Sequence, residues 1–461
     1  MTADCNTTET NVRRIPDALV NEIHDGNCVA FVGAGFSATV IPPWGELLRQ
    51  LATQSASGTD VENHVENLVL RGSAHAFDEA AQVLEDHLGR AAFLDQLESV
   101  LTERDERPMS QRLSWLRGIP FRSILTTNFD PLLPGSTPGP AAYRRMLRPD
   151  TYRWWETRYW GNAVGAATLK LHGDVAKGEI VLTRRDYRRH LYSDPAYITF
   201  LRTMMATTTV LYMGFSFEDA YLNELRSEIL ALLGQGDQSM PVAYAIVNDV
   251  PPGTQNHFRK HEGIDVLSYD THGGTDFSGF DDYLGTIYQE TNPLVRFGRL
   301  LAMRRILWID PHPSNNGEAF DYLDAAATAA DRERSPLVTV NTAEEGVAAL
   351  MSAHNEGEDF DLVITHWGEA TAFTPDGATC STAVGVLAAI RARNLRCPVI
   401  VFAGAVNADE RKVAVLGMGA LAYCHSFADL YRKIEETLSP GGRTSLNTGS
   451  TTQASTTTPS C

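Results

Sequence analysis

Cys28-Val29-Ala30-Phe31-Val32 runs directly into Gly33-Ala34-Gly35-Phe36-Ser37. Five apolar residues in an unbroken row mark a strand covered on both faces, as in a parallel sheet. The two glycines that follow would let backbone N–H groups at the strand's carboxyl end approach a pyrophosphate. Two glycines one residue apart serve a tight strand-to-helix turn without a ligand equally well. What surrounds this stretch decides between the two.

Further short apolar runs follow at Ser123–Thr126, Thr168–Leu171, Thr209–Met213, Val242–Val247 and Ile264–Leu267. Amphipathic segments separate them, among them Phe77–Leu88, Ala91–Leu101, Ala196–Met205 and Asp219–Leu233. Strands alternating with helices predict an α/β fold with a doubly wound parallel sheet over residues 15–293. The stretch 44–116 has no strand-like run and reads as a helical insertion. Residues 304–438 repeat a shorter β-α rhythm five times, with strands expected at Arg305–Ile309, Leu337–Val340, Leu362–Thr365, Val399–Ala403 and Ala420–Tyr423. That rhythm predicts a C-terminal flavodoxin-like unit. The polar stretch 1–14 reads as a tail. Residues 439–461, rich in Gly, Ser, Thr and Pro, lack the apolar surface to order themselves.

The 461 residues carry 39 Lys and Arg against 57 Asp and Glu, a net charge of −18. That balance argues against nucleic acid as a partner of this chain alone, because such binding neutralises phosphates with basic side chains. No apolar run reaches the length of a membrane-spanning helix, and the first residues lack a secretory signal, so a cytoplasmic protein is expected. The six cysteines, at 5, 28, 380, 397, 424 and 461, form no C-x-x-C pair. They read as free thiols, and no zinc is expected.

Three more strand ends carry short polar groups: Thr126-Thr127-Asn128-Phe129-Asp130, Leu171-His172-Gly173 and Met213-Gly214-Phe215-Ser216. In a parallel sheet such ends converge on one edge and can build a site from distant segments. Singly, each is weak. Asn-Phe-Asp is ordinary turn chemistry, and a histidine at a strand end can be purely structural. The basic segment Arg184–His190 reads as a solvated or subunit-facing helix, and Tyr152-Arg153-Trp154-Trp155 as a packing cluster.

Taken as an ordered set, G-A-G-x-S, T-x-N-x-D, L-H-G and G-x-S, the chain from about 27 to 290 resembles the SIR2 (sirtuin-like) family. It looks most similar to the prokaryotic branch that hydrolyses NAD+ in antiphage defence. The resemblance implies a Rossmann-like sheet and NAD+ as substrate. It assigns Asn128 to the ribose and the attacking water, His172 to the base, and Asp130 to the loop or the nicotinamide. It assigns Gly33, Ala34, Gly35, Phe36, Ser37 and Thr127 to the cofactor, with Gly214 and Ser216 along the ribose-phosphate path and Asn248 at the adenosine ribose. The four-cysteine zinc module of protein-deacylating sirtuins is missing, and Ile41-Pro42-Pro43-Trp44 replaces their Asp-Phe-Arg triplet. Water is then the expected acceptor. An NAD+-dependent deacylase or ADP-ribosyltransferase, and a non-catalytic NAD+ or ADP-ribose sensor, stay as alternatives. The branch further implies a homo-oligomer, and a defence partner such as an ATPase.

Residues 304–438 resemble the receiver domain of response regulators. Asp310 stands at the first strand's end, but Pro311 follows it. His366 replaces the phosphoacceptor aspartate, Ala403 the hydroxyl residue, and His425 the lysine. One carboxylate is too few for Mg²⁺, so a degenerate receiver is expected, serving oligomerisation, partner binding or sensing. His312, His366 and His425 could meet at the strand ends around a metal.

Overall fold

In the computed structural model β1 (Cys28–Val32) lies inside a six-stranded, all-parallel sheet. Its partners are β2 (Ser123–Thr126), β3 (Thr168–Lys170), β4 (Thr209–Met213), β5 (Ala243–Asn248) and β6 (Ile264–Tyr269). The order is β3-β2-β1-β4-β5-β6, the doubly wound order that reverses beside its first strand and opens a crevice there. The structure describes residues 14–102, 107–148, 166–215, 242–274, 276–329, 336–368, 372–373, 379–404 and 407–439. The expected helix Asp219–Leu233, the Trp154-Trp155 cluster and the tail 440–461 lie outside them.

Alternation along β1 sorts its side chains into two layers. Cys28, Ala30 and Val32 meet Leu19 and Ile23 of α1 (Asp17–His24), Leu113 and Leu116 of α6 (Ser110–Gly118), and Leu284 of α11 (Ser278–Thr291). Val29 and Phe31 meet Tyr143 of α7 (Pro140–Leu147) and Phe200 and Met204 of α9 (Pro195–Thr207). The helices between β1 and β2 divide between two cores. α2 (Trp44–Ala56), α3 (Asp60–Arg71), α4 (Ala74–Leu88) and α5 (Arg90–Thr102) share a core of their own, including Leu48, Leu68, Leu84 and Phe93. α6 instead covers the sheet, because Leu113 and Leu116 face it. Two segments of two residues, Gly173–Asp174 and Glu179–Ile180, pair antiparallel beyond β3. α8 (Arg184–Ser193) follows, and α10 (Pro252–His261) joins β5 to β6.

The chain divides into two compact units between Asn292 and Pro293. The second opens with α12 (Pro293–Leu301), whose Phe297 and Leu301 are buried in that unit's core. Its strands are β7 (Ile306–Ile309), β8 (Leu337–Val340), β9 (Leu362–Thr365), β10 (Val399–Phe402) and β11 (Ala422–Cys424). They are parallel in the order β8-β7-β9-β10-β11, the flavodoxin-like order. α13 (Gly317–Ala329) and α17 (Phe427–Leu438) cover one face of this sheet; α14 (Ala343–Glu356), α15 (Thr382–Ala392) and α16 (Ala408–Gly417) cover the other.

Candidate active site at the reversal of strand order

The strand ends of the first sheet stand level. Val32 is in register with Thr126 on one side and Met213 on the other, and Thr126 with Lys170. Residues one or two steps further therefore lie along one edge: Gly33 and Ala34, Thr127 and Asn128, Leu171 and His172, Gly214 and Phe215. Register brings together four segments that the sequence spreads over 182 positions (215 − 33).

The glycines have a reason that comes before any ligand. Gly33 N–H donates to Met213 O and Gly35 N–H to Gly214 O, both at 2.9 Å. A Cβ on Gly33 would stand 2.6 Å from Gly214 O, and one on Gly35 3.0 Å from Gly214 Cα. Gly214 has φ +65°, and a Cβ there would collide with Phe36 N. Three glycines thus let the β1 and β4 ends touch backbone to backbone. The N–H groups of Gly33, Gly35 and Phe36 all go to protein carbonyls. That leaves the expected phosphate contact to other groups of this edge. Ala34 and Gly35 are exposed, and Thr127 is half-buried.

Phe36 is a correction. Its ring is fully buried 5.9 Å from that of Phe280, its N–H donates to Gly33 O, and its carbonyl accepts from Arg112 at 2.6 Å. The turn points this side chain into the core under α11, so it does not line the crevice. Arg112 carries no motif, and its partner is far away in sequence. It grips Asp281 through two bonds, of 2.7 and 2.9 Å, and fixes the turn from below.

Asn128 and Asp130 are both buried. Asn128 N–H donates to Thr126 Oγ1 at 3.0 Å, and its Nδ2 donates to Ser37 Oγ at 3.2 Å. Its Oδ1 is buried and has no hydrogen-bond partner. Of four such side-chain atoms among the described residues, it alone stands beyond the carboxyl end of a strand. Asp130 Oδ1 accepts from Leu132 N–H at 3.0 Å. Burial pushes the Asp130 carboxyl up, opposed by that N–H, by Lys170 and by the Ser37 hydroxyl. Phe129, between them, sets its ring 5.6 Å from that of Trp44 and anchors the loop to the insertion.

Lys170 reads from the sequence as a plain strand residue, and it ends β3. It has no exposed surface, and its ammonium donates to Asp130 O at 2.6 Å. His172 is half-buried, with Nδ1 at 3.5 Å from Tyr187 Oη and the two rings nearly perpendicular. Tyr187 comes from the basic segment, which is not simply a solvated face. Arg185 pairs with Glu85 and Asp86, and Asp186 with Arg90, tying α8 to the insertion. Asn248 ends β5 exposed, and its amide donates to Asp249 Oδ2 at 3.0 Å. Asp249 also holds Thr271, and those hydrogen bonds pull its carboxyl down to about 2. Ser216 lies outside the described residues.

In the second unit the three histidines do not form a ligand set. His312 and His425 are exposed, and no group of three His, Cys, Asp or Glu that could hold a metal exists among the described residues. Asp310 is buried and already accepts from His312 N–H at 2.8 Å and from the Asn316 amide. His366 Nδ1 accepts from Gly368 N–H at 2.9 Å.

Residues 122–267 match the family model described as SIR2-like domain. The span holds Asn128, His172, Gly214 and Asn248 and begins after the glycine-rich turn. The chain is 28% identical over 223 residues to NAD(+) hydrolase ThsA of Enterococcus faecium, covering 47% of this chain and 42% of that protein. It is 24% identical over 267 residues to NAD(+) hydrolase ThsA of Cytobacillus dafuensis, covering 55% and 47%. It is 23% identical over 233 residues to Defense-associated sirtuin 2 of Bacillus subtilis, covering 47% and 20%. The chain spans less than half the length of each of these relatives.

Proposed function

We infer, from a chain that carries a SIR2-like domain, that its first unit hydrolyses NAD+ to nicotinamide and ADP-ribose. The observation that carries this reading is the buried, unpaired oxygen of Asn128 at the reversal of strand order. Nicotinamide leaves C1′ as a neutral molecule, taking the bond's electron pair onto its cationic ring nitrogen, so the departure needs no general acid. The oxocarbenium-like ribose that forms needs a water held in line and a group to take its proton. Asn128 Oδ1 accepts the hydrogen bond of that water or of the ribose hydroxyl beside it. The water oxygen bonds to C1′, and His172 receives the proton. Ala34, Gly35, Thr127 and Gly214 border the dinucleotide, with Asn248 and Ser216 further along. The names of the relatives, two of them NAD(+) hydrolases, support the same reaction.

The role that fits is an antiphage effector in the cytoplasm, which the name Defense-associated sirtuin 2 supports. No helix among the described residues is long and apolar enough to cross a membrane. Unchecked loss of NAD+ would harm the host, so the activity waits on a trigger or on assembly. A homo-oligomer, or a partner such as an ATPase, supplies that control, and the degenerate receiver-like unit is the place for it to act. The test is purified full-length chain with NAD+, with and without infected-cell lysate, read by chromatography. Equal release of nicotinamide and ADP-ribose is expected. Release that requires an acylated peptide would make it a deacylase; NAD+ binding without cleavage in either condition would make it a sensor.

A further inference from the structure

Lys170 has no exposed surface, and the reaction above does not use it. Its ammonium donates to Asp130 O at 2.6 Å and Phe129 O at 3.4 Å, and pairs with Asp174 at 3.3 Å. A buried ion pair adds little stability over an apolar replacement of similar size, so stability alone does not explain a lysine here. What these contacts do is pin the two residues that follow Asn128.

The same ammonium is near enough for its charge to oppose protonation of the Asp130 carboxyl. Asp130 in turn meets the Ser37 hydroxyl, and Ser37 accepts from the Asn128 amide nitrogen. A hydroxyl has one proton. While Asp130 is ionised that proton points to the carboxylate, so Asn128 must offer its NH₂ to Ser37, which leaves its oxygen on the side away from Ser37. Once Asp130 is protonated, the Ser37 proton is free for the amide oxygen, and the amide can turn over.

We propose that Lys170 is a positioning residue for Asn128: through the carbonyls of Phe129 and Asp130 it fixes the loop that carries the amide, and its charge near Asp130 sets which end of the amide is turned to Ser37. The inference rests on the NAD+ reading for its kinetic test and on geometry alone for its structural one. The groups facing Asp130 are Ser37 from the glycine-rich turn, Leu132 N–H from its own loop and Lys170 from β3; those facing Lys170 include Asp174 and Lys177. Burial drives both ions toward neutrality, raising Asp130 and lowering Lys170, and each opposes that drift in the other.

The test compares Lys170→Met and Lys170→Gln with wild type under the condition in which wild type cleaves NAD+. Lys170→Met is expected to lower kcat about 100-fold with KM within about threefold, as a mispositioned group does. Its acid limb moves to higher pH, because no cation opposes protonation of Asp130. Lys170→Gln keeps a donor without the charge; it shows the same limb shift with a smaller loss of kcat. A limb that stays in place, or wild-type kcat in either variant, overturns the proposal, whatever happens to the melting temperature. Should Lys170→Met not fold, the limb of Lys170→Gln decides. Should wild type cleave nothing, the NAD+ reading fails and amide exchange decides this one. Faster exchange at residues 127–132 in Lys170→Gln, with β1 and β4 unchanged, supports it; unchanged exchange overturns it.

Discussion

The two parallel sheets of this chain reverse their strand order in the same way and place short polar loops at the same edge, yet one edge leaves a buried polar atom without a partner and the other is closed on itself. In the first, a buried amide oxygen on Asn128 is left unpaired beside two exposed turn residues. In the second, the Asp310 carboxylate is taken by His312 N–H and the Asn316 amide, and His366 Nδ1 by Gly368 N–H. Topology prepares a ligand edge in both cases, and side chains decide whether it is used.

The sharpest way to break the contrast is to delete the polar group at each edge. Asn128→Ala is expected to reduce NAD+ cleavage on the order of 1000-fold, because it removes the group that holds the reacting water. Its melting temperature should hold. Asp310→Ala should do the reverse. It leaves the Asn316 amide without its acceptor, at a cost of about 2 kcal/mol by denaturant titration, and leaves cleavage within about threefold. Similar activity losses in both variants would mean that the two edges are not as different as their hydrogen bonds say.

Next in size is the backbone contact that builds the first edge. Gly214→Ala places a methyl against Phe36 N at a positive φ, and is expected to destabilise the first unit by about 3 kcal/mol. Gly404→Ala, at the end of β10, meets nothing within 4 Å and should change stability by under about 0.5 kcal/mol. Hydrogen exchange at β1 and at β10 reads each unit by itself.

The strands of both units are legible as short, mostly apolar runs, although Lys170 interrupts the run at β3 and Asp265 that at β6, and their ends point to Asn128 and His172 by position. The site's supports were not. Arg112 and Asp281 lie 169 positions apart, and nothing local marks either. Lys170 sits between two leucines and reads as part of a strand; its burial arises only when the Asn128 loop folds over it. The pair Gly173–Asp174 and Glu179–Ile180 is too short to show a period. The resemblance assigns Phe36 to the cofactor, whereas the turn aims its ring at Phe280. The sequence alone groups α6 with the insertion, because a helix's own residues do not say which neighbour takes its apolar stripe.

The smallest expected effect separates the two edges by pH. Burial holds the His366 ring below its ordinary range; His312 and Arg411 act in the same direction and Asp310 against them. An unfolded histidine titrates at about 6.5, so below that pH the unfolded chain takes up a proton that the folded one resists. The second unit therefore loses stability as pH falls through this window and regains it above. Asp130 in the first unit has the opposite sign: its carboxyl is raised on folding, so taking up a proton as pH falls favours the folded unit instead of costing it stability. Amide exchange at β9 should accelerate between pH 7.5 and 5.5, after correction for the intrinsic rate, while exchange at β2 should not. His366→Gln should flatten the β9 response; if β9 still loosens in that variant, the proton is taken up elsewhere and the closed edge is not what senses it.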